Sequence, residues 1–218
     1  MTSSRSTGAA VLDAVLARGV IPVVSLDNPA TAADVGQALV AGGLPVAEVT
    51  LRSELAEECL HRMAQVPHLL VGAGTVVRPD QVDRVHQAGA RFVVSPGLDP
   101  QIVERCRELG LAVLPGVATA TEVQSAARLD LDVVKFFPAA AAGGTATIAA
   151  LAGPFPKMRF VPTGGIDAGT MAAYLALGCV AAVGGSWIAT RKAVAEGDWA
   201  GIEAEARRAV ESAGQARA

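Results

Sequence analysis

The sequence predicts a single (β/α)8 barrel, a TIM barrel, spanning residues 1–218. Three observations carry that prediction. Short β-branched runs recur along the chain, beginning near Val20, Val46, Leu69, Arg91, Leu111, Val133, Arg159 and Ala181. Their starts are 20 to 26 residues apart, which leaves room for a strand, a loop and a short helix but not for an inserted domain. Helix punctuation falls between them. Gly42-Gly43, Gly89, Gly110 and Gly178 stand where helices stop, and Pro79-Asp80 and Asp99-Pro100 where helices start. Strand–helix units repeated this often in one chain of this length point to a closed parallel sheet. An open doubly wound sheet usually has fewer strands, and the units share a period without a common motif, which weakens a solenoid.

The elements follow in order. A helix over Ala9–Arg18 is expected to cap the bottom of the barrel, with residues 1–8 as a flexible N-terminus. Helices are then expected over Thr31–Ala41, Glu54–Met63, Asp80–Ala88 and Pro100–Leu109. Four more follow at Thr121–Arg128, Thr145–Ala152, Gly169–Leu177 and Trp199–Ala213. No linker or second domain interrupts the series.

Composition excludes several function classes. The chain is 51% apolar with net charge −3, so burial can offset its ordering entropy and disorder is ruled out. A mildly acidic chain without a basic cluster is not expected to bind nucleic acid. Residues 136–156 and 168–190 carry no charge, but prolines and glycines break the first and glycines the second, so they read as pieces of a buried core and no membrane partner is expected. The N-terminus has no continuous apolar stretch of the signal-peptide kind. Cys59, Cys106 and Cys179 are far apart and never form a CxxC pair, which suits reduced thiols in a cytoplasmic protein. His61, His68 and His86 stand apart from other ligand-type residues, so no metal and no cofactor are expected. The basic residues are 15 Arg and only 3 Lys: Lys135, Lys157 and Lys192.

Barrel enzymes build their sites at the C-terminal ends of the strands, and the unusual residues of this chain fall there. In Val46–Arg52, alternation places Glu48, Thr50 and Arg52 on one face and Ala47, Val49 and Leu51 on the other. The apolar face must pack on helices, so the polar one points into the barrel. In Val133–Pro138, Lys135 shares a face with Phe137 and has no charged neighbour nearer than Asp132. Enclosure strips its hydration and disfavours the ammonium form, and a neutral amine adds to ketones to give a Schiff base. The bland alternative is a lysine that snorkels to the strand end or pairs with Glu48.

Glycine turns supply a second signal. Strand 7 ends in Pro162-Thr163-Gly164-Gly165-Ile166 and strand 8 in Gly184-Gly185-Ser186. Glycine pairs let backbone N–H groups approach an anion, and these two loops are where barrel enzymes commonly hold phosphate. Gly72-Ala73-Gly74-Thr75 reads as a tight turn that presents Thr75 inward. Ser95-Pro96-Gly97 and Pro115-Gly116 read as turns at the ends of strands 4 and 5.

Taken together, EVTLR at 48–52, GAGTV at 72–76, SPGL at 95–98, KFFPA at 135–139, PTGGI at 162–166 and GGSW at 184–187 resemble the 2-keto-3-deoxy-6-phosphogluconate (KDPG) aldolase family. That family also includes 4-hydroxy-2-oxoglutarate (KHG) aldolase activity. The resemblance implies a metal-independent class I aldolase in which Lys135 forms the Schiff base and Glu48 is the general acid/base. It implies that Arg52, Thr75 and Thr163 bind the pyruvyl carboxylate or line its pocket, with Pro96 and Phe137 as apolar walls. Gly164, Gly165, Gly184, Gly185 and Ser186 would hold phosphate. It further implies a small keto-acid substrate and a homotrimer. One position departs from the family pattern: Ala140 stands where a Glu is common.

The expected reaction is cleavage of KDPG to pyruvate and D-glyceraldehyde 3-phosphate. KHG cleavage to pyruvate and glyoxylate is the nearest alternative. A phosphate-sugar isomerase or epimerase would share the glycine turns but need no reactive lysine. A non-catalytic barrel that binds phosphorylated ligands would need neither Glu48 nor Lys135.

Overall fold

A computed structural model describes residues 7–217. Its strands are β1 (Val20–Val24), β2 (Val46–Thr50), β3 (Leu70–Gly74), β4 (Phe92–Val94), β5, β6 (Val133–Phe136), β7 (Arg159–Pro162) and β8 (Val183–Gly185). Strand β5 comes in two pieces, Ala112–Leu114 and Gly116–Val117, on either side of Pro115. Every pairing is parallel. β1 to β5 pair in sequence order, the second piece of β5 pairs with β6, and β6 pairs with β7. β8 pairs with β1, and single bridges at Phe160–Val180 and Thr163–Gly184 join it to β7. The ring closes, and the barrel expectation is borne out.

Pro115 explains the break in β5. The Leu114 carbonyl accepts from the Ser95 N–H of the β4 side (3.3 Å), and the Pro115 carbonyl accepts from the Lys135 N–H of β6 (2.9 Å). The proline has no N–H to add to the ladder, and the strand changes partner across it.

The helices are α1 (Thr7–Leu16), α2 (Ala32–Ala41), α3 (Ala56–Ala64), α4 (Pro79–Gln87), α5 (Pro100–Glu108), α6 (Ala120–Arg128), α7 (Gly144–Ala152), α8 (Met171–Leu175), α9 (Arg191–Glu196) and α10 (Trp199–Ala216). α1 packs against β1, β4 and β5 and caps the barrel, as expected, although it stops before Arg18. Of the segment expected to be flexible, residues 1–6 lie outside the described residues, and Thr7 and Gly8 already belong to α1. α9 was not foreseen; Thr190 caps it by accepting from the Ala193 N–H.

Several helix starts carry the caps that their sequences advertise. Asp99 accepts from the Gln101 N–H (2.8 Å) with Pro100 in the first turn, and Thr119 and Glu122 form a capping box at α6. Between the helices and the barrel lies the core. Ala47 and Val49 of β2 are fully buried, as are Leu39 of α2 and Leu60 of α3. Each such branched side chain contributes about 1.5–3 kcal/mol of burial. All five residues of β2 are buried on both faces, so the strand is no solvated edge and its polar face lies inside the barrel.

Candidate active site

Glu48 and Lys135, 87 residues apart in sequence, meet in the barrel interior. They are 2% and 6% exposed, and the Lys135 Nζ donates to the Glu48 Oε1 at 3.4 Å. Lys135 also lies over the Phe137 ring, with Nζ 5.3 Å from the centroid, a cation–π contact. A buried ion pair of this kind is costly to desolvate and is held only by its own geometry. It is therefore weak evidence for stability and better evidence for chemistry. An amine that can attack a carbonyl stands beside a carboxylate that can accept or return its proton.

Gly74 of β3 makes room for this arrangement, and Gly72 makes room for the Phe92 ring of β4. Gly72 and Gly74 pair with Glu48 and Thr50 of β2. A Cβ on Gly74 would fall 2.1 Å from the Glu48 Oε1, and one on Gly72 would fall 2.4 Å from the Phe92 ring. The sequence suggested a tight turn here, and the structure corrects this: both residues lie within β3, and neither has a positive φ. The residue in the left-handed region is Thr75 (φ 60°), a β-branched side chain in a conformation that costs about 1–3 kcal/mol. Thr75 is half-buried directly after the glycine that faces Glu48.

Above the pair opens a cavity of about 270 Å3. Its walls are Val23, Ser25, Arg52, Phe137 and Thr163, and its rim is formed by Gly164, Gly165, Gly184, Gly185 and Ser186. The two glycine pairs are there for different reasons. Gly164 and Gly165 have φ of 100° and 74°, a backbone that L side chains rarely adopt. Gly184 and Gly185 need space instead. A Cβ on Gly184 would fall 2.3 Å from the Thr163 Oγ1, and one on Gly185 would overlap the Trp187 ring at 1.6 Å.

Most of the residues picked from sequence thus share one cavity or the pair beneath it. Pro96 is exposed and borders a separate crevice with Val77 and Leu98. Its backbone still approaches the site: a Cβ on Gly116, the partner of Lys135, would lie 2.1 Å from the Pro96 carbonyl oxygen. Ala140 is exposed and lies against Gly165, where a Cβ would approach its own at 2.6 Å. Sequence reasoning missed Ser25. It follows β1 directly, two residues beyond the cavity-lining Val23, so the alternation rule that found Arg52 also reaches it. The apolar run had been cut at Val24.

A larger hollow of about 510 Å3, walled by Leu131, Phe155, Pro156 and Met158 beside Lys157, opens before β6 and β7. That is the N-terminal end of the strands, opposite the catalytic face of barrel enzymes. Among the described residues, no three His, Cys, Asp or Glu side chains gather as a metal site, and no helix is long and apolar enough to cross a membrane.

A parallel barrel that buries an amine against a carboxylate beneath a glycine-rimmed cavity has the layout of a barrel lyase. The chain belongs to the KDPG and KHG aldolase family, whose model matches residues 12–205, and it is a class I, Schiff-base aldolase. It is 42% identical over 203 residues to the KHG/KDPG aldolase of Escherichia coli, covering 92% of this chain and 95% of the relative. A structure of KDPG aldolase from Legionella pneumophila, with pyruvate captured as a covalent carbinolamine, matches with TM-score 0.86 and 40% identity over 89% of this chain and 95% of that one. The KDPG aldolase of Zymomonas mobilis with 3-phosphoglycerate matches with TM-score 0.85 and 40% identity, covering 91% and 94%. The family assignment sets aside the isomerase and the non-catalytic barrel.

Proposed function

We propose that the protein cleaves KDPG to pyruvate and D-glyceraldehyde 3-phosphate, with Lys135 as the Schiff-base lysine. The observation that carries this reading is the buried Lys135–Glu48 pair at 3.4 Å beneath the glycine-rimmed cavity. The Lys135 amine attacks the C2 ketone to give a carbinolamine, and loss of water gives a protonated imine. The Legionella relative, with pyruvate captured as a carbinolamine, supports that first step. The iminium draws the electrons of the C3–C4 bond as Glu48 takes the C4 hydroxyl proton. Glyceraldehyde 3-phosphate leaves, and an enamine remains on Lys135. Protonation at C3, with Glu48 returning the proton, and hydrolysis release pyruvate.

Arg52, on the cavity wall, holds the substrate carboxylate in a two-point contact. Thr163 and Phe137 line the pyruvyl pocket; Thr75, next to the glycine that faces Glu48, and the Pro96 backbone, packed behind Gly116, support it from outside the cavity lining. Gly164, Gly165, Gly184, Gly185 and Ser186 hold the phosphate through backbone N–H groups and one hydroxyl. The Zymomonas relative, with 3-phosphoglycerate, supports a phosphorylated ligand for this enzyme. The chemistry draws on protein groups alone, with neither metal nor cofactor.

The phosphate rim favours KDPG over KHG, which carries no phosphate. The Escherichia coli relative, a KHG/KDPG aldolase, supports KHG as a second substrate. Steady-state kinetics on both decides: kcat/KM is expected to be at least about tenfold higher for KDPG, since a charge-assisted contact is worth about 1.5–3 kcal/mol. Equal values would contradict the preference. We place the enzyme in the cytoplasm, consistent with three free cysteines. We also assign it a homotrimer, which sedimentation at three times the chain mass would establish and a monomer mass would overturn.

A further inference from the structure

We infer that Ser25 is a specificity-determining residue that accepts a hydrogen bond from the C5 hydroxyl of the substrate, the hydroxyl that KDPG carries and KHG lacks. The inference rests on the reading of Lys135 as the Schiff-base lysine and extends it to the residue that follows β1.

Position is the first argument. β1 lies between β2, which carries Glu48 and leads to Arg52, and β8, which ends in the rim glycines. Val23 is level with Glu48, so Ser25 stands two residues nearer the mouth than the Lys135–Glu48 pair. A substrate whose C2 reaches Lys135 and whose phosphate reaches the rim must pass its middle carbons across this strand. The C4 hydroxyl is committed to Glu48, and the next hydroxyl toward the phosphate is the one on C5.

Chemistry is the second argument. The Ser25 Oγ lies 2.9 Å from the Thr50 Oγ1, and the Thr50 hydroxyl donates to the Val24 carbonyl at 3.2 Å. With the Thr50 proton committed to that carbonyl, Ser25 is the donor to Thr50. Its remaining lone pairs are left for the cavity it lines. A substrate hydroxyl would then complete a chain of hydrogen bonds running through Ser25 and Thr50 to the Val24 carbonyl. Such chains reinforce one another. Thr50 is 1% exposed, so the anchoring end of the chain is fixed before substrate arrives.

The test runs the reaction toward synthesis, with pyruvate and either D-glyceraldehyde 3-phosphate or 3-oxopropyl phosphate, which lacks the hydroxyl that becomes the one on C5. Ser25→Ala is expected to lower the ratio of kcat/KM for the two aldehydes about three- to tenfold, the worth of one neutral hydrogen bond. Ser25→Thr, which keeps a hydroxyl, is expected to restore the ratio. Borohydride trapping of pyruvate on Lys135 is expected to proceed in both variants, which shows that they are folded and loaded. An unchanged ratio in a variant that traps pyruvate overturns the inference. A wild-type enzyme that traps no pyruvate on Lys135 overturns the lysine reading and the inference with it.

Discussion

Gly74 of β3 faces the carboxylate of Glu48 so closely that a Cβ at that position would fall 2.1 Å from Oε1. The neighbouring strand therefore leaves space for a carboxylate where any side chain would displace it. Gly74→Ala is expected to push Glu48 off the Lys135 amine and lower kcat by about 10²-fold, the usual cost of misplacing a catalytic group by 1 Å. Overpacking costs about 1–3 kcal/mol of stability. Kinetics and urea denaturation read both, and full activity would show that Glu48 needs no such precision.

The pair also responds asymmetrically to losing a member. Lys135→Met leaves Glu48 buried without its partner and is expected to destabilise the fold by about 3–5 kcal/mol. Glu48→Gln should lower kcat about 10²–10⁴-fold, the range for lost general acid–base catalysis, while pyruvate still adds slowly to Lys135. Denaturation midpoints and single-turnover trapping separate these effects. A Glu48→Gln enzyme that turns over normally would remove Glu48 from the chemistry.

Ser186 stands exposed at the rim, beside glycines that carry no side chain. Its hydroxyl is the one side-chain donor assigned to the phosphate, so Ser186→Ala should lower kcat/KM for KDPG about 10–100-fold. KHG turnover should change far less. Equal losses on both substrates would mean that Ser186 acts on loop structure and not on phosphate.

The cysteines are expected to differ in reactivity. Burial pushes the Cys106 thiol up to about 12, and burial with Glu58 and Asp27 nearby pushes Cys59 up to about 11. Thiolate is the reactive form, and both stay protonated at pH 8. Cys179 is also raised by burial but is only half-buried. Alkylation followed by peptide mapping should label Cys179 first and the other two only as the protein unfolds. Rapid labelling of Cys106 in the native protein would contradict the packing described.

Much of this was legible before the structure. β-branched runs at a regular step mark the barrel strands because hydrophobic strands between helices must read that way. Arg191–Glu196 escaped notice because a six-residue segment shows too little of a helical period. Gly72 and Gly74 were read as a turn because sequence does not distinguish a glycine needed for its φ from one needed for the space beside it. Lys135 stood out by its isolation within an apolar strand. Its 3.4 Å approach to Glu48 depends on the curl of the barrel from β2 round to β6, which no local spacing records.

Reduction with borohydride in the presence of pyruvate, followed by peptide mass mapping, tests the central claim most directly. A reduced pyruvyl adduct is expected on Lys135 and none on Lys157 or Lys192, with chelator leaving the rate unchanged. No adduct, or an adduct confined to either of the other lysines, would contradict the claim.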